Sequence, residues 1–145
     1  MTSIQSIHLL QQEFIDDFNR QGIISQTIYL NHPEVWEFDE LSQYKGQKNL
    51  VEPFIEGFQK FNSNSGVAIS AEGASWSSLM QALSHYSYHA SGGRYLLCDL
   101  QGGIIKSECN LNGNAVLTDP VILSRDREFG ITDLGAAGIS TFFGR

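Results

Sequence analysis

Basic residues are scarce in this 145-residue sequence: nine Lys and Arg face sixteen Asp and Glu, for a formal net charge of -7. The nine include no basic run, which excludes general affinity for nucleic acid or an anionic membrane, since both require clustered cations to displace counterions. Cysteine is as scarce. Cys98 and Cys109 alone are too few for a disulfide framework and fit a reducing, cytoplasmic setting. Cys98 falls in an apolar run and reads as a small core residue. No apolar stretch approaches the ~20 residues that span a bilayer. The opening MTSIQSIHLLQQEF lacks the basic and apolar regions of a signal peptide. Internal repeats and low-complexity tracts are also missing. What is present, 41% hydrophobic and 17% charged residues, is the composition of one globular domain long enough to bury a core.

Periodicity organises the chain. Ile4, Ile7, Leu10, Phe14 and Phe18 recur at steps of three and four, which predicts a helix over residues 3–19 with Ser3 as N-cap and a stop at Asn19-Arg20-Gln21-Gly22. Residues 23–30 read as a strand. Residues 31–50 are polar and irregular, a long excursion of roughly twenty residues. Residues 51–61 read as a strand pair or a strand entering a turn, closed by the turn formers Asn62-Ser63-Asn64-Ser65-Gly66. A second helix is expected over 75–89, with Leu79, Ala82 or Leu83, and Tyr86 on one face and Gly92-Gly93 after its end. Arg94 to Leu100 is the most apolar strand. A Gly/Asn-rich loop follows it, then an extended segment over 116–123. The turn FGITDLGAAG leads into a short helix carrying Ile139, Phe142 and Phe143, capped by Thr132 or Asp133.

Several residues suggest chemistry. Asp99 and Gln101, two apart at a strand end, would emerge on one side beside a glycine pair that admits a ligand to the backbone. Carboxylate and amide oxygens suit a hard cation such as Mg²⁺, and a strand end bending into solvent explains the same pair. Asp119, held extended before Pro120, is a second carboxylate for such a cation or a turn residue. NLNGN, 110–114, lacks the carboxylates of a calcium loop and reads as a surface turn. Gly130, Gly135 and Gly138 around Thr132-Asp133 form either an anion- or peptide-holding turn or a plain helix entry. His85 and His89 have zinc-chelating spacing, which a core histidine shares. Lys60, beside the polar turn, contacts an anion or solvent.

In this order, VEPFIEGFQKFNSNSG, ALSHYSYHASGGRYLLCDLQGG and LTDPVILSRDREFGITDLGAAGISTFF resemble the α-kinase family of atypical serine/threonine protein kinases, most closely its fungal branch. The resemblance is strong over residues 50–143. It implies an α+β, atypical protein-kinase-like fold with an incomplete N-lobe, most of the C-lobe, a mixed or antiparallel sheet and a few helices. It implies ATP and a protein substrate, and it assigns residues by motif. Asp99 becomes the catalytic aspartate, Gln101 and Asp119 the Mg²⁺ ligands, and Glu52, with Ile55 and Glu56, the hinge that meets adenine. Lys60 falls near the cleft. The loop carrying Gly130, Thr132, Asp133, Gly135 and Gly138 matches the family's glycine-rich motif, and His85 matches a structural zinc ligand. Such chemistry is coherent: a metal neutralises charge on the phosphates while an aspartate orients the attacking hydroxyl.

Three departures from the family pattern accompany the match. No lysine-bearing strand pair precedes residue 50, and the further histidine and cysteines of the zinc site are missing. The segment between Gln101 and Asp119 is also long. Residues 1–145 are therefore expected to be one partial kinase domain, cut at both ends, with weak ATP binding, marginal stability and little or no activity in isolation. A non-catalytic pseudokinase-like module is the alternative.

Overall fold

The computed structural model describes residues 4–22, 26–68 and 74–144, which form three helices and eight strands. In chain order they are α1 (Ile4–Arg20), β1 (Ile28–Leu30), β2 (Glu34–Glu37), β3 (Lys48–Val51), β4 (Gln59–Lys60), α2 (Ala74–Ala90), β5 (Tyr95–Cys98), β6 (Gln101–Ser107), β7 (Asn110–Leu117), β8 (Val121–Ser124) and α3 (Gly135–Phe143). Ser3, Arg145 and residues 23–25 of the expected first strand lie outside the described residues.

The strands make a four-stranded mixed sheet ordered β1-β7-β6-β4 and two antiparallel ribbons, β2-β3 and β5-β8. Only β1-β7 is parallel. The α1 stripe packs as its periodicity predicts: Phe14 and Phe18 are buried, joined by Ile15, against Trp76, Met80 and Leu83 of α2 and Ile28 and Leu30 of β1. Each such side chain is worth about 1.5–3 kcal/mol on full burial. The Tyr86 hydroxyl donates to Asp17, fastening α2 to α1.

Ribbon β5-β8 is buried on both sides, as its unbroken apolar sequence foretells. Leu97 and Ile122, paired in register, face the first core. Leu96, Cys98, Val121 and Leu123 face a second, closed by Ile139 and Phe142 of α3. Cys98 is fully buried, and burial, ahead of the neighbouring Asp99, pushes its thiol well above the usual range, so it is an inert core residue.

Three expectations need correction. Residues 31–50 hold most of the ribbon β2-β3, with Glu34↔Val51 and Glu37↔Lys48 in register. All eight of its positions are at least partly exposed, so no alternation of buried and exposed side chains marked it. The expected Gly/Asn loop after Leu100 is the hairpin β6-β7, and NLNGN lies within β7. Strand pairing across that hairpin outweighed the low strand propensity of Asn and Gly. The segment over 116–123 breaks at Thr118-Asp119-Pro120 between β7 and β8.

Candidate active site at two facing corners

The chain crosses between ribbon β5-β8 and the four-stranded sheet twice, in opposite directions. The ribbon ladder ends at Cys98↔Val121 and the sheet ladder resumes at Gly102↔Leu117. Asp99-Leu100-Gln101 therefore lies opposite Thr118-Asp119-Pro120, and the Thr118 N–H donates to the Gln101 carbonyl at 3.0 Å. Strand register alone brings the two sequence-distant aspartates to adjacent corners.

Both corners are backbone exceptions. Asp99 has φ 55 and Asp119 φ 47, in the left-handed region that costs an L-residue about 1–2 kcal/mol. Strain of this kind concentrates where geometry is held for a purpose. It also overturns the alternation argument: Asp99 is not in a strand, so Gln101 does not share its side by period two. Gln101 opens β6, paired with Lys60 of β4, and is not part of the cavity wall. The glycine pair is likewise no ligand window. A Cβ on Gly102 would stand 1.8 Å from the Val116 carbonyl oxygen, and one on Gly103 2.6 Å from Ile55 Cγ2. Both glycines allow close packing, Gly102 within the hairpin and Gly103 against Ile55 and Glu56.

A cavity of about 250 Å³ opens at these corners, walled by Asp99, Asp119, Glu52 and Thr132 together with Ile7, His8 and Gln11 of α1 and Leu30, Asn31 and Leu50. Lys60 Nζ sits 2.5 Å from the Asp99 carboxylate. The Thr118 hydroxyl donates to Glu52. The Asp119 carboxyl is pushed above its usual range by burial, and further by the charges of Glu52 and Asp99. His8 is hydrogen-bonded to His32 at 2.7 Å and held below the ordinary imidazole range, chiefly by burial and next by His32.

The other expected residues fall nearby or apart. Ile55 and Glu56 line an adjoining groove of about 600 Å³ with Phe54, Ile104 and Val116. In the glycine-rich turn, Thr132 reaches the cavity, and its carbonyl accepts from Asn64 Nδ2 at 3.4 Å. Asp133 is 1% exposed and is not the cap residue; α3 has Leu134 there, with no side-chain cap. Asp133 instead accepts from Ser124 N–H (2.9 Å), Ser124 Oγ–H (2.5 Å), Phe129 N–H (3.3 Å) and Gly135 N–H (2.9 Å), locking the turn onto β8. Gly130 precedes this lock, while Gly135 and Gly138 open α3, Gly138 against Leu134 and Leu123. His85 packs edge-on against Phe143 at 5.0 Å.

Among the described residues, no three His, Cys, Asp or Glu side chains converge to hold a metal ion. The carboxylates at the corners still fit Mg²⁺: that ion is commonly held by one or two carboxylates plus waters and substrate phosphates, not by an all-protein cage. Burial is the main cause of the raised Asp119 carboxyl, and the charges of Glu52 and Asp99, which a cation would offset, add to it.

Sequence reading missed the α1 wall. Gln11 is buried, and its Nε2 donates to the Pro120 carbonyl at 2.7 Å, pinning the Asp119 corner. The signal was there: position 11 lies on the same helical face as Ile7, Phe14 and Phe18, where an amide must find a partner. His8 and Asn31 carried no such signal.

Two left-handed aspartates thus stand beside a lysine and a glycine-rich turn on a mixed helix-and-sheet scaffold. The alpha-kinase family model matches residues 1–145. Alpha-protein kinase 1 of Homo sapiens is 33% identical over 137 residues, 91% of this chain and 10% of that protein. Myosin heavy chain kinase A of Dictyostelium discoideum is 34% identical over 140 residues, 94% of this chain and 11% of that protein. The crystal structure of the latter's alpha-kinase domain with AMP superposes with TM-score 0.73 and 25% identity, covering 99% of this chain and 56% of that one. Its ADP complex gives 0.74 and 27%, covering 96% and 51%. The chain belongs to the alpha-kinase family, and its fold is that of these kinase domains. It spans about a tenth of the curated relatives' length and about half of the crystallised domains. No helix among the described residues is long and apolar enough to cross a membrane.

Proposed function

We propose that this chain carries the catalytic part of an alpha-kinase-type serine/threonine protein kinase, which transfers the γ-phosphoryl of MgATP to a protein hydroxyl. The observation that supports it most is the meeting of Asp99 and Asp119 at facing corners of one cavity. Asp99 orients the substrate Ser or Thr hydroxyl and receives its proton as the oxygen attacks the γ-phosphorus and the bond to the ADP oxygen breaks. Lys60 holds the Asp99 carboxylate in place. Asp119 would hold Mg²⁺, which when bound neutralises charge on the phosphate oxygens; Gln101, given the same role by family resemblance, would have to reach it from outside the cavity wall. Glu52, Ile55 and Glu56 would meet adenine, and the turn from Gly130 to Gly138, with Thr132 at the cavity, would receive the protein substrate. A cytoplasmic setting agrees with two free cysteines and an ATP substrate.

The second reading, a non-catalytic nucleotide- or protein-binding module, is favoured by one observation: Gln101, the expected partner of Asp119 toward Mg²⁺, is not part of the cavity wall. Incubation with γ-labelled ATP, Mg²⁺ and a generic basic protein separates the two. Label on Ser or Thr that disappears with Asp99→Ala supports the kinase. MgATP binding by calorimetry without any transfer supports the module and overturns the kinase.

A further inference from the structure

We infer that Asn62 is a positioning residue for this reaction, holding the Asp99 corner in the geometry that presents its carboxylate to the cavity; the inference rests on the reading of Asp99 given above. Asn62 is fully buried just beyond β4. Its Oδ1 accepts from the Leu100 N–H at 2.8 Å, and its Nδ2 donates to Gln81 Oε1 at 2.7 Å and Ser84 Oγ at 3.0 Å on α2. The Leu100 carbonyl in turn accepts from the N–H groups of Phe61 at 2.8 Å and Asn62 at 3.3 Å. Leu100, the residue directly after left-handed Asp99, is thus gripped at both its polar backbone groups by residues 61–62.

The chemistry selects an amide. The position needs an acceptor toward Leu100 and donors toward α2 at once. Asn supplies both without a buried charge, whereas a hydroxyl has one oxygen and an alkyl group has neither. Lys60, two residues earlier on the same segment, pairs with the Asp99 carboxylate. Segment 60–62 therefore fixes the backbone and the charge of one corner together, and α2 is the rigid element behind it. The strand pair β4-β6 is complete without the side chain.

The test compares Asn62→Ala and Asn62→Asp with Asn19→Ala, in the whole chain. Asn19 makes a similar two-point grip, on Ile28, away from the cavity. Three measurements are made: thermal midpoint; NMR of Asp99 and Leu100 (the backbone coupling that reports φ, and amide exchange); and kcat and KM for MgATP. Asn62→Ala is expected to move the Asp99 coupling, speed Leu100 exchange and cut kcat about tenfold or more, with KM changed less than about threefold. Asn62→Asp keeps the acceptor and is expected to retain the Asp99 signals and most of kcat despite a lower midpoint. Asn19→Ala is expected to lower the midpoint and leave Asp99 alone. Asn62→Ala leaving Asp99 and Leu100 as in the unaltered chain, or matching Asn19→Ala in every readout, overturns the inference. If Asn62→Ala does not fold, Ser84→Ala combined with Gln81→Ala cuts the α2 anchor instead. A shift at Asp99 then supports the inference, and no shift refutes it. If the unaltered chain transfers no phosphate, the kinase reading fails, and the Asp99 and Leu100 signals still decide the role of Asn62.

Discussion

Asp133 offers the sharpest stability prediction, because its surroundings fix the magnitude. The carboxylate is buried and accepts four hydrogen bonds, three from backbone N–H groups of Ser124, Phe129 and Gly135 and one from the Ser124 hydroxyl. Asp133→Ala removes the common acceptor of all four. A buried donor left unsatisfied costs about 1–3 kcal/mol. The Phe129 bond is long, at 3.3 Å, and Ser124 Oγ still accepts from the Glu128 N–H at 2.8 Å, so the loss falls short of a simple sum. About 3–5 kcal/mol is expected, a large fraction of the stability of a domain this size. Urea unfolding followed by circular dichroism should show a lower midpoint at unchanged slope. Asp133→Asn keeps the Oδ1 acceptor for Ser124 and Gly135 but turns an amide donor toward Phe129 N–H, so it should cost about half as much. A loss under about 1 kcal/mol for Asp133→Ala, or a larger loss for the asparagine than for the alanine, would show that the turn is not held by this carboxylate.

Other expectations follow from the same geometry. Gly102→Ala puts a Cβ 1.8 Å from the Val116 carbonyl oxygen, so the hairpin β6-β7 must open, and the variant should lose most of its native circular dichroism or fail to fold. Asp119 has a raised carboxyl pKa, so its contribution to folding is favourable below the ordinary carboxylate value of 3.8 and is lost as pH rises through its higher folded value. Asp119→Asn, which stays neutral and suits a left-handed φ, should therefore melt higher than the unaltered chain at pH 7. That gap should close as pH falls below about 4, and a gap independent of pH would contradict the assignment. Elemental analysis of the purified chain should find less than one zinc per chain, since His85 packs on Phe143 and no three His, Cys, Asp or Glu side chains converge among the described residues.

How much of this was legible depended on whether the signal was local. The helices were: the step of three and four in α1, the apolar face of α2 and the Phe-rich end of α3 each build a stripe that must be buried. Strand β5 was legible because both its faces are covered, which leaves a continuous apolar run. The ribbon β2-β3 was not, since its exposed positions carry no period. The hairpin β6-β7 was hidden because its glycines answer to atoms across the sheet, Val116 and Ile55, that no sequence window contains.

The site divides the same way. Asp99 and Asp119 could be named from their motifs, yet the reason they meet lies in two ladders that stop three residues short of each other on each side. Gln101 was placed beside Asp99 by assuming a continuous strand, and a left-handed residue broke that assumption. Gln11 was visible only as a polar interruption of an apolar face. Asn62 read as a turn former, and its buried amide acquires a meaning only once Leu100 is seen against it.

The most direct measurement of the central claim pairs transfer with binding at a single residue. Asp99→Asn preserves the shape of the side chain and tolerates the left-handed backbone, while removing the carboxylate that would receive the hydroxyl proton. The unaltered chain is predicted to move labelled phosphate from MgATP to Ser or Thr of a basic protein at a slow but measurable rate. Asp99→Asn is predicted to bind MgATP by calorimetry with similar affinity and to transfer at least about a hundredfold more slowly. Transfer that persists undiminished in Asp99→Asn would contradict the account.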